Sequence, residues 1–432
     1  MYFSQEEQLS FRNRTNTFRF LSRRAAVATL LMAVFISHST NGTCQDAPTL
    51  SSELKGTSFE IYGFAQVDYI QNFRRADPNW DDTLRPSKIP TEDGVYGSDG
   101  QSSLSVKQSR FGAKADLPVE GQLLFTKFEF DLFGVGVDQG QTTFRLRHAF
   151  GEWGQILGGQ TDSLFMDMDI FPNTIDYWGP AGMVFLRNPQ IRWTPLREGG
   201  NKVSIAVERP SNDIDSGRIR EFDPELSDAI QNDEKIPDFT AHYRRSGDWG
   251  HVQLAGIIRS IGFDTRGSVN NEPKDSKVGW GTNLTSVLKV TESDTLKLGG
   301  VVGQGIASYM NDGGTDLAPE FSGGRGSTEA LMLFGVSAFL DHSWSKTFTS
   351  SVGYSRTQVD NTNLQTADAF FAGDYAAINL LYSPSSRIMF GGELLYGSRE
   401  DNDGSRGDDL RTQISVKYAF SSGNIVLGKQ GT

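Results

Sequence analysis

From Phe59 onward the chain alternates apolar and polar residues with a period of two, the signature of strands that show one apolar face. The last run is clearest: Leu410, Thr412, Ile414, Val416, Tyr418 and Phe420 share one side, and Arg411, Gln413, Ser415, Lys417 and Ala419 the other. Phe59, Ile61, Ala65, Val67 and Tyr69 oppose Glu60, Gln66 and Asp68 in the same way, and Leu124, Phe128, Phe130 and Leu132 oppose Lys127, Glu129 and Asp131. One run, 329–342, is apolar on both faces.

The connections sharpen this pattern. Short ones, at Pro118–Glu120, Gly151, Leu196–Gly200, Gly247–Trp249, Glu292–Ser293, Ser343–Ser345 and Pro384–Ser385, alternate with long polar ones that include 73–101, 162–183, 210–236, 309–328 and 360–371. A soluble sandwich has no reason to keep that alternation along a whole chain. A transmembrane antiparallel up-and-down β-barrel, with short periplasmic turns and long outer loops, requires it. The runs number about sixteen, enough strands to surround an aqueous channel. Aromatic residues near the run ends, Tyr69, Trp153, Trp193, Trp249 and Tyr396 among them, suit interfacial girdles.

Composition narrows the class. Among 432 residues there are 47 glycines and 29 phenylalanines, only 37 % are hydrophobic, and the formal net charge is −12, the wrong sign for a nucleic-acid partner. A single cysteine, Cys44, excludes an internal disulfide. Arg12, Arg14, Arg19, Arg23 and Arg24 precede an apolar run from Ala25 to Ile36 that is too short for a membrane helix, so 1–39 reads as a signal peptide. The expected plan is a short periplasmic segment at 40–58, a barrel at 59–420 and a tail at 421–432 in the outer membrane of a Gram-negative bacterium.

If one face meets lipid, the other lines the lumen. That face carries Arg110 and Lys114, then Arg145 and Arg147, then Arg187 and Arg192. Clustered guanidinium groups focus anions and hold carboxylates bidentately. Phe144, Leu146 and Phe150 are expected to point outward. Arg187 and Arg192 both point inward only if a bulge interrupts their run near Asn188–Pro189. The loop 162–183 holds Leu164, Phe165, Met166, Ile170, Phe171, Tyr177 and Trp178, too much apolar surface for a solvated loop. Folding inward, it would narrow the channel and set Asp162, Asp167, Asp169 and Asp176 opposite the arginines.

Enzyme signatures are sparse. GxSxG, HExxH and the phosphate-binding glycine loop are missing, and His148, His242, His251 and His342 lack metal-ligand spacing, so neither cofactor nor metal is expected. Asp401-Asn402-Asp403-Gly404 begins like a calcium loop, but its downstream acid is misplaced, and a solvated loop tip fits better.

Several long stretches resemble the DcaP-like outer-membrane porins: IYGFAQVDYIQNF (61–73), LRPSKIP (84–90), GSDGQSSLSVKQSRFG (97–112), FEFDLFGVGVDQGQTTFRLRHAFGEWGQILGGQT (128–161), DIFPNTIDYWGPAGMVFLRNPQIRWTP (169–195) and ERPSNDID (208–215). The resemblance implies a sixteen-stranded, trimeric porin admitting small anionic solutes, including dicarboxylates and aromatic acids. It would put basic lumen residues at Arg145, Arg147, Arg187 and Arg192, with Arg110 beside them. Two departures stand out: no room for a helical coiled coil ahead of Phe59, and twelve residues after the terminal aromatic Phe420. A second reading keeps the barrel but makes it an enzyme or adhesin acting through loops 73–101 and 210–236.

Overall fold

The structure, a computed structural model, describes residues 56–426. The expected signal peptide, Cys44, most of the 40–58 segment and residues 427–432 lie outside the described residues. The strands are β1 (Ser58–Asn72), β2 (Ser102–Ser105), β3 (Arg110–Val119), β4 (Gln122–Phe133), β5 (Thr142–Trp153), β6 (Ile156–Asp162) and β7 (Arg187–Glu198). They continue with β8 (Asn201–Glu208), β9 (Ile230–Asn232), β10 (Asp238–Gly247), β11 (Gly250–Thr265), β12 (Asp275–Lys289), β13 (Asp294–Gln304) and β14 (Leu317–Ser322). The last are β15 (Arg325–Ala330), β16 (Met332–Ser343), β17 (Phe348–Val359), β18 (Phe370–Ser385), β19 (Ile388–Asp401), β20 (Arg406–Ser421) and β21 (Ile425–Val426).

Sixteen positions close into an antiparallel barrel: β1, then β2 and β3 sharing one position, β4 to β8, β10 to β13 and β16 to β20. Closure runs from Tyr62↔Ser421 to Asn72↔Arg411, so the barrel has no free edge. The short hairpin β14–β15 stands apart, β9 adds to the end of β11, and β21 pairs with the start of β1.

Alternation of short and long connections holds, with two adjustments. The turn expected at Gly151 lies at Gly154-Gln155, because β5 and β6 continue pairing to Trp153↔Ile156. The connection 402–405 is a tight hairpin at the long-loop end, closed by Gly404 N–H donating to Asp401 O at 2.9 Å, with φ +86° at the glycine. The acidic run there is therefore a turn.

Outward and inward faces follow the alternation. In β20, Leu410, Ile414, Tyr418 and Phe420 are exposed to the exterior, while Arg411, Gln413 and Ser415 are fully buried inside. That burial shows the lumen is filled on one side. Loop 163–186 crosses it, and its backbone is held from many strands: Asn283 Nδ2 donates to Phe165 O (2.8 Å), Gln253 Nε2 to Met166 O (2.9 Å), Lys297 Nζ to Phe171 O (2.6 Å) and Gln108 Nε2 to Ile175 O (2.8 Å). A second loop, 305–331, joins it through the bridge Val184↔Met310. Together they build an apolar core inside the barrel from Phe165, Met166, Tyr309, Met310 and Leu331, packed on Ala255, Ile257, Val301 and Leu333 of β11, β13 and β16. This explains the run that is apolar on both faces: Phe334, Val336 and Leu340 of β16 point outward, and Leu333 and Phe339 meet the loops.

Gly182 and Gly335 let the inward loop lie directly on β16 and β17. A Cβ at Gly182 would lie 2.1 Å from Arg356 O, and one at Gly335 would lie 2.4 Å from Gly182 O, so only hydrogen fits at either position. Loop 73–101 also enters the barrel, burying Leu84 and Ile89 against Tyr375 and Leu395.

Candidate functional site

With the β11–β19 side of the lumen packed, open space remains beside β1–β7 and β20. A cavity of about 390 Å³ on the long-loop side is lined by Arg85, Arg145, Tyr177, Trp178, Phe185 and Arg187, among others. Another of about 230 Å³ on the short-turn side is lined by Phe64, Arg110, Arg147, Tyr177, Arg187 and Lys417, among others. Tyr177, Phe185 and Arg187 line both, so the narrow point lies between these three side chains.

A bulge in β5 shapes the basic wall. Opposite β4 the register runs Glu129↔His148 and then Phe130↔Leu146, leaving Arg147 as the extra residue. Arg147 and His148 are consequently both buried on the inner side, and the faces exchange beyond them. Phe150, expected outward, pairs with Lys127 and packs on Phe125 with ring centroids 5.8 Å apart, on the lumen side.

The arginines differ in how fully they are occupied. Arg145 grips Asp131 bidentately (2.7 and 3.0 Å). Arg147 Nε donates to Glu129 (2.8 Å), and its Nη1 donates to Asp131 (3.0 Å) and to the Tyr177 hydroxyl (2.8 Å). Tyr177 donates its own hydroxyl hydrogen bond to Asp131 and stacks on Phe133 at 4.3 Å, fastening the loop to the wall. Arg110 is looser: its Nη1 is 3.7 Å from Glu129, its Nε has no partner, and its guanidinium lies 5.2 Å from the Phe64 ring.

The Arg187 side chain makes no hydrogen bond among the described residues. Its Nε lies 3.2 Å from Asp162 Oδ1 as an ion pair without hydrogen-bond geometry, and its guanidinium rests 4.8 Å from the Phe185 ring. No bulge is needed to bring it inside. The ladder from Ile156↔Trp193 to Asp162↔Arg187 is unbroken, which removes the bulge expected near Asn188–Pro189; the register shift lies between Trp193 and Leu196, on the β8 side. Arg187 reaches the lumen because it is the first strand residue after the inward loop.

The other expected residues are scattered. Arg192 faces inward but lines neither cavity, and Lys114, paired with Glu60 at 2.9 Å, sits towards the short turns. Three of the four loop acids expected opposite the arginine wall find their partners elsewhere. Asp167 accepts from His251 Nε2 and Thr285 Oγ1, both at 2.7 Å, and Asp169 pairs with Arg244. Asp176 is buried, accepting from Thr83 Oγ1 and Leu84 N at 2.9 Å and from Gly179 N at 3.0 Å. Burial pushes its carboxyl up from the usual range, against the pull of Arg411. Asp162 alone meets one of the six basic residues named from the sequence, and it ends β6.

Around the narrow point, Arg110, Lys127, Arg145, Arg147, Arg187 and Lys417 therefore stand against Glu129, Asp131, Asp162 and Asp176, six basic groups to four acids. Lys417, on the inward parity of the last run, has no ion pair among the described residues and lies 5.3 Å from the Phe64 ring. Sequence reasoning placed it on the polar face without joining it to the cluster. Arg85 had no such signal: it comes from loop 73–101, lies 4.1 Å from the Trp80 ring and 4.4 Å from the Trp178 ring, and binds Asp312 at 2.7 Å. Asp167, Asp169 and His251 cluster closely enough to suggest a cation, but Arg244 already supplies the positive charge there.

Comparison with known proteins completes the picture. A family model described as DcaP outer membrane protein matches residues 29–420. Among solved structures, the outer membrane channel DcaP of Acinetobacter baumannii superposes with a TM-score of 0.72 at 22 % identity, covering 84 % of this chain and 98 % of that one. An anion-selective porin from Comamonas acidovorans gives 0.52 at 10 % identity, covering 84 % and 100 %. A search of curated proteins returned no match.

Proposed function

The chain belongs to the DcaP outer membrane protein family, and from that premise we propose that it is a passive diffusion channel favouring small anionic solutes, dicarboxylates and aromatic acids among them. Family and fold are those of outer-membrane channels of Gram-negative bacteria. The anion preference rests on one observation above all: Arg187, at the point common to both cavities, carries a charge that no carboxylate hydrogen-bonds.

A selective channel must attract an ion without trapping it, and a partly compensated guanidinium does so. Arg110, Lys417 and Arg187 extend the field along the path. Phe64, Tyr177 and Phe185 stand beside them, so an aromatic acid would meet a ring face and a cation together. Liposome swelling tests the reading. Dicarboxylates and benzoate-like acids should enter faster than neutral sugars of equal size, and equal rates would refute an anionic preference.

Strand length supports a homotrimer. β6 has 7 residues and β8 has 8, fewer than the roughly nine to eleven a strand needs to cross a bilayer. A low wall that also presents Phe144, Ile191 and Trp193 outward is better covered by a neighbouring subunit than by lipid. Charged substitutions at Phe144 and Ile191 should lower the native mass in mild detergent from trimer to monomer.

A further inference from the structure

On the inner face of β7, β8 and β10, apart from both cavities, lies a second basic group in which Arg192 and Lys202 form no ion pair among the described residues. Arg244 lies opposite Lys202 and His242 opposite Ser204, while Arg192 lies opposite Ala206. Antiparallel partners share a face, so Arg192, Lys202, His242 and Arg244 surround Ser204 and Ala206. Two strand spacings and a two-residue offset along the strands set the Arg192 and His242 backbones about 12 Å apart. The floor between them is low, made of Ala206, Ser204 and Thr194, whose hydroxyl is 3.0 Å from that of Ser204. The walls are long and basic.

Hydrogen bonding leaves this pit unfinished. Lys202 has neither an ion pair nor a side-chain hydrogen bond among the described residues. Arg192 donates to Gln190 Oε1 (2.9 and 3.0 Å) and to the Asp162 carbonyl (2.6 Å), and to no carboxylate. His242 is 92 % buried, and neither ring nitrogen has a partner. The surrounding acids are engaged elsewhere. Glu208 accepts from Ser163, Leu164 and Thr240, Glu152 from Arg197, and Asp167 from His251 and Thr285. Arg244 alone is paired, with Asp167 and Asp169.

Buried polar groups without partners are rare in folded proteins, and neighbouring basic side chains that form no ion pair add a second unmet demand for an anion. We infer that the pit is a second anion station, built for one small oxyanion group, whether phosphate, sulfate or carboxylate. Arg192 and Lys202 supply its charge and His242 a ring N–H. Its use by a solute in transit rests on the proposed anion channel; the binding itself does not.

The test uses the full chain purified in detergent. Crystals soaked with selenate should show an anomalous peak within hydrogen-bond distance of Arg192 and Lys202. In bilayers, inorganic phosphate should block chloride current, and R192Q/K202Q should raise the half-blocking concentration roughly tenfold, the loss of charge-assisted hydrogen bonds. K202R, which keeps the charge, should bind as the wild type does. A wild-type pit without selenate, or a selenate peak that persists in R192Q/K202Q, overturns the station, and block unchanged beside a peak lost in the variant places the station off the conducting path. A peak in a channel that proves indifferent to anions upholds the station and refutes the constriction reading. Anion preference without a peak does the reverse.

Discussion

Replacing Arg187 by glutamine removes the charge that lines both cavities and that no carboxylate hydrogen-bonds. The size of the effect follows from Coulomb's law. A unit charge about 4 Å from a passing ion contributes about 1 kcal/mol in water and about 4 kcal/mol at the effective dielectric of a protein surface. The cavities on either side are open enough for water, so the lower figure is appropriate. Losing about 1 kcal/mol of anion attraction together with as much cation repulsion changes the anion-to-cation permeability ratio by about 2 kcal/mol, roughly thirtyfold. Asp162, freed of its partner and 30 % exposed at the side chain, acts in the same direction.

The assay is the zero-current potential across a planar bilayer under a potassium chloride gradient. Arg187→Gln should move it strongly towards the cation limit with the pore still conducting, and Arg187→Lys should retain most of the preference because the charge remains. A glutamine variant that inserts, conducts and keeps the wild-type potential would refute the role given to this residue.

Gly182→Val needs room that the Arg356 and Val336 carbonyl oxygens occupy, so the loop must shift off β16 and β17 into the open side of the lumen; single-channel conductance should fall. An unchanged conductance would mean the loop does not define the pore. Arg85→Ala leaves the buried Asp312 carboxylate without its cation, a loss of about 3–5 kcal/mol for a buried pair, and should expose loops 73–101 and 305–331 to limited proteolysis while the barrel resists. Cutting indistinguishable from wild type would contradict that latch. Anion preference should weaken with salt, since screening lengths shrink from about 10 Å at 0.1 M to about 3 Å at 1 M. A preference constant with ionic strength would point to size rather than charge.

The barrel was legible because its signal is repeated: about sixteen strand-like runs, most of them of period two, and alternating connections carry the same message. The inward loop was legible for a related reason, since Phe165, Ile170 and Trp178 make little sense in water. The site was less so. Parity arguments assume an unbroken ladder, and the bulge at Arg147 turned Phe150 to the lumen without any glycine or proline to announce it. The converse failed at Asn188–Pro189, where a proline sits in a regular ladder with β6. Pairing among acids and arginines was hidden too. Asp167, Asp169 and Asp176 lie in the expected loop, yet their partners come from β10, β11, β12 and loop 73–101, contacts that only the closed barrel creates.

The most direct measurement of the central claim is the sign of the wild-type zero-current potential under a salt gradient at low ionic strength. Excess positive charge around Arg187 predicts a potential on the anion-selective side, reduced step by step as Arg187, Lys417 and Arg110 are replaced by glutamine. A cation-selective or unselective wild type would contradict it.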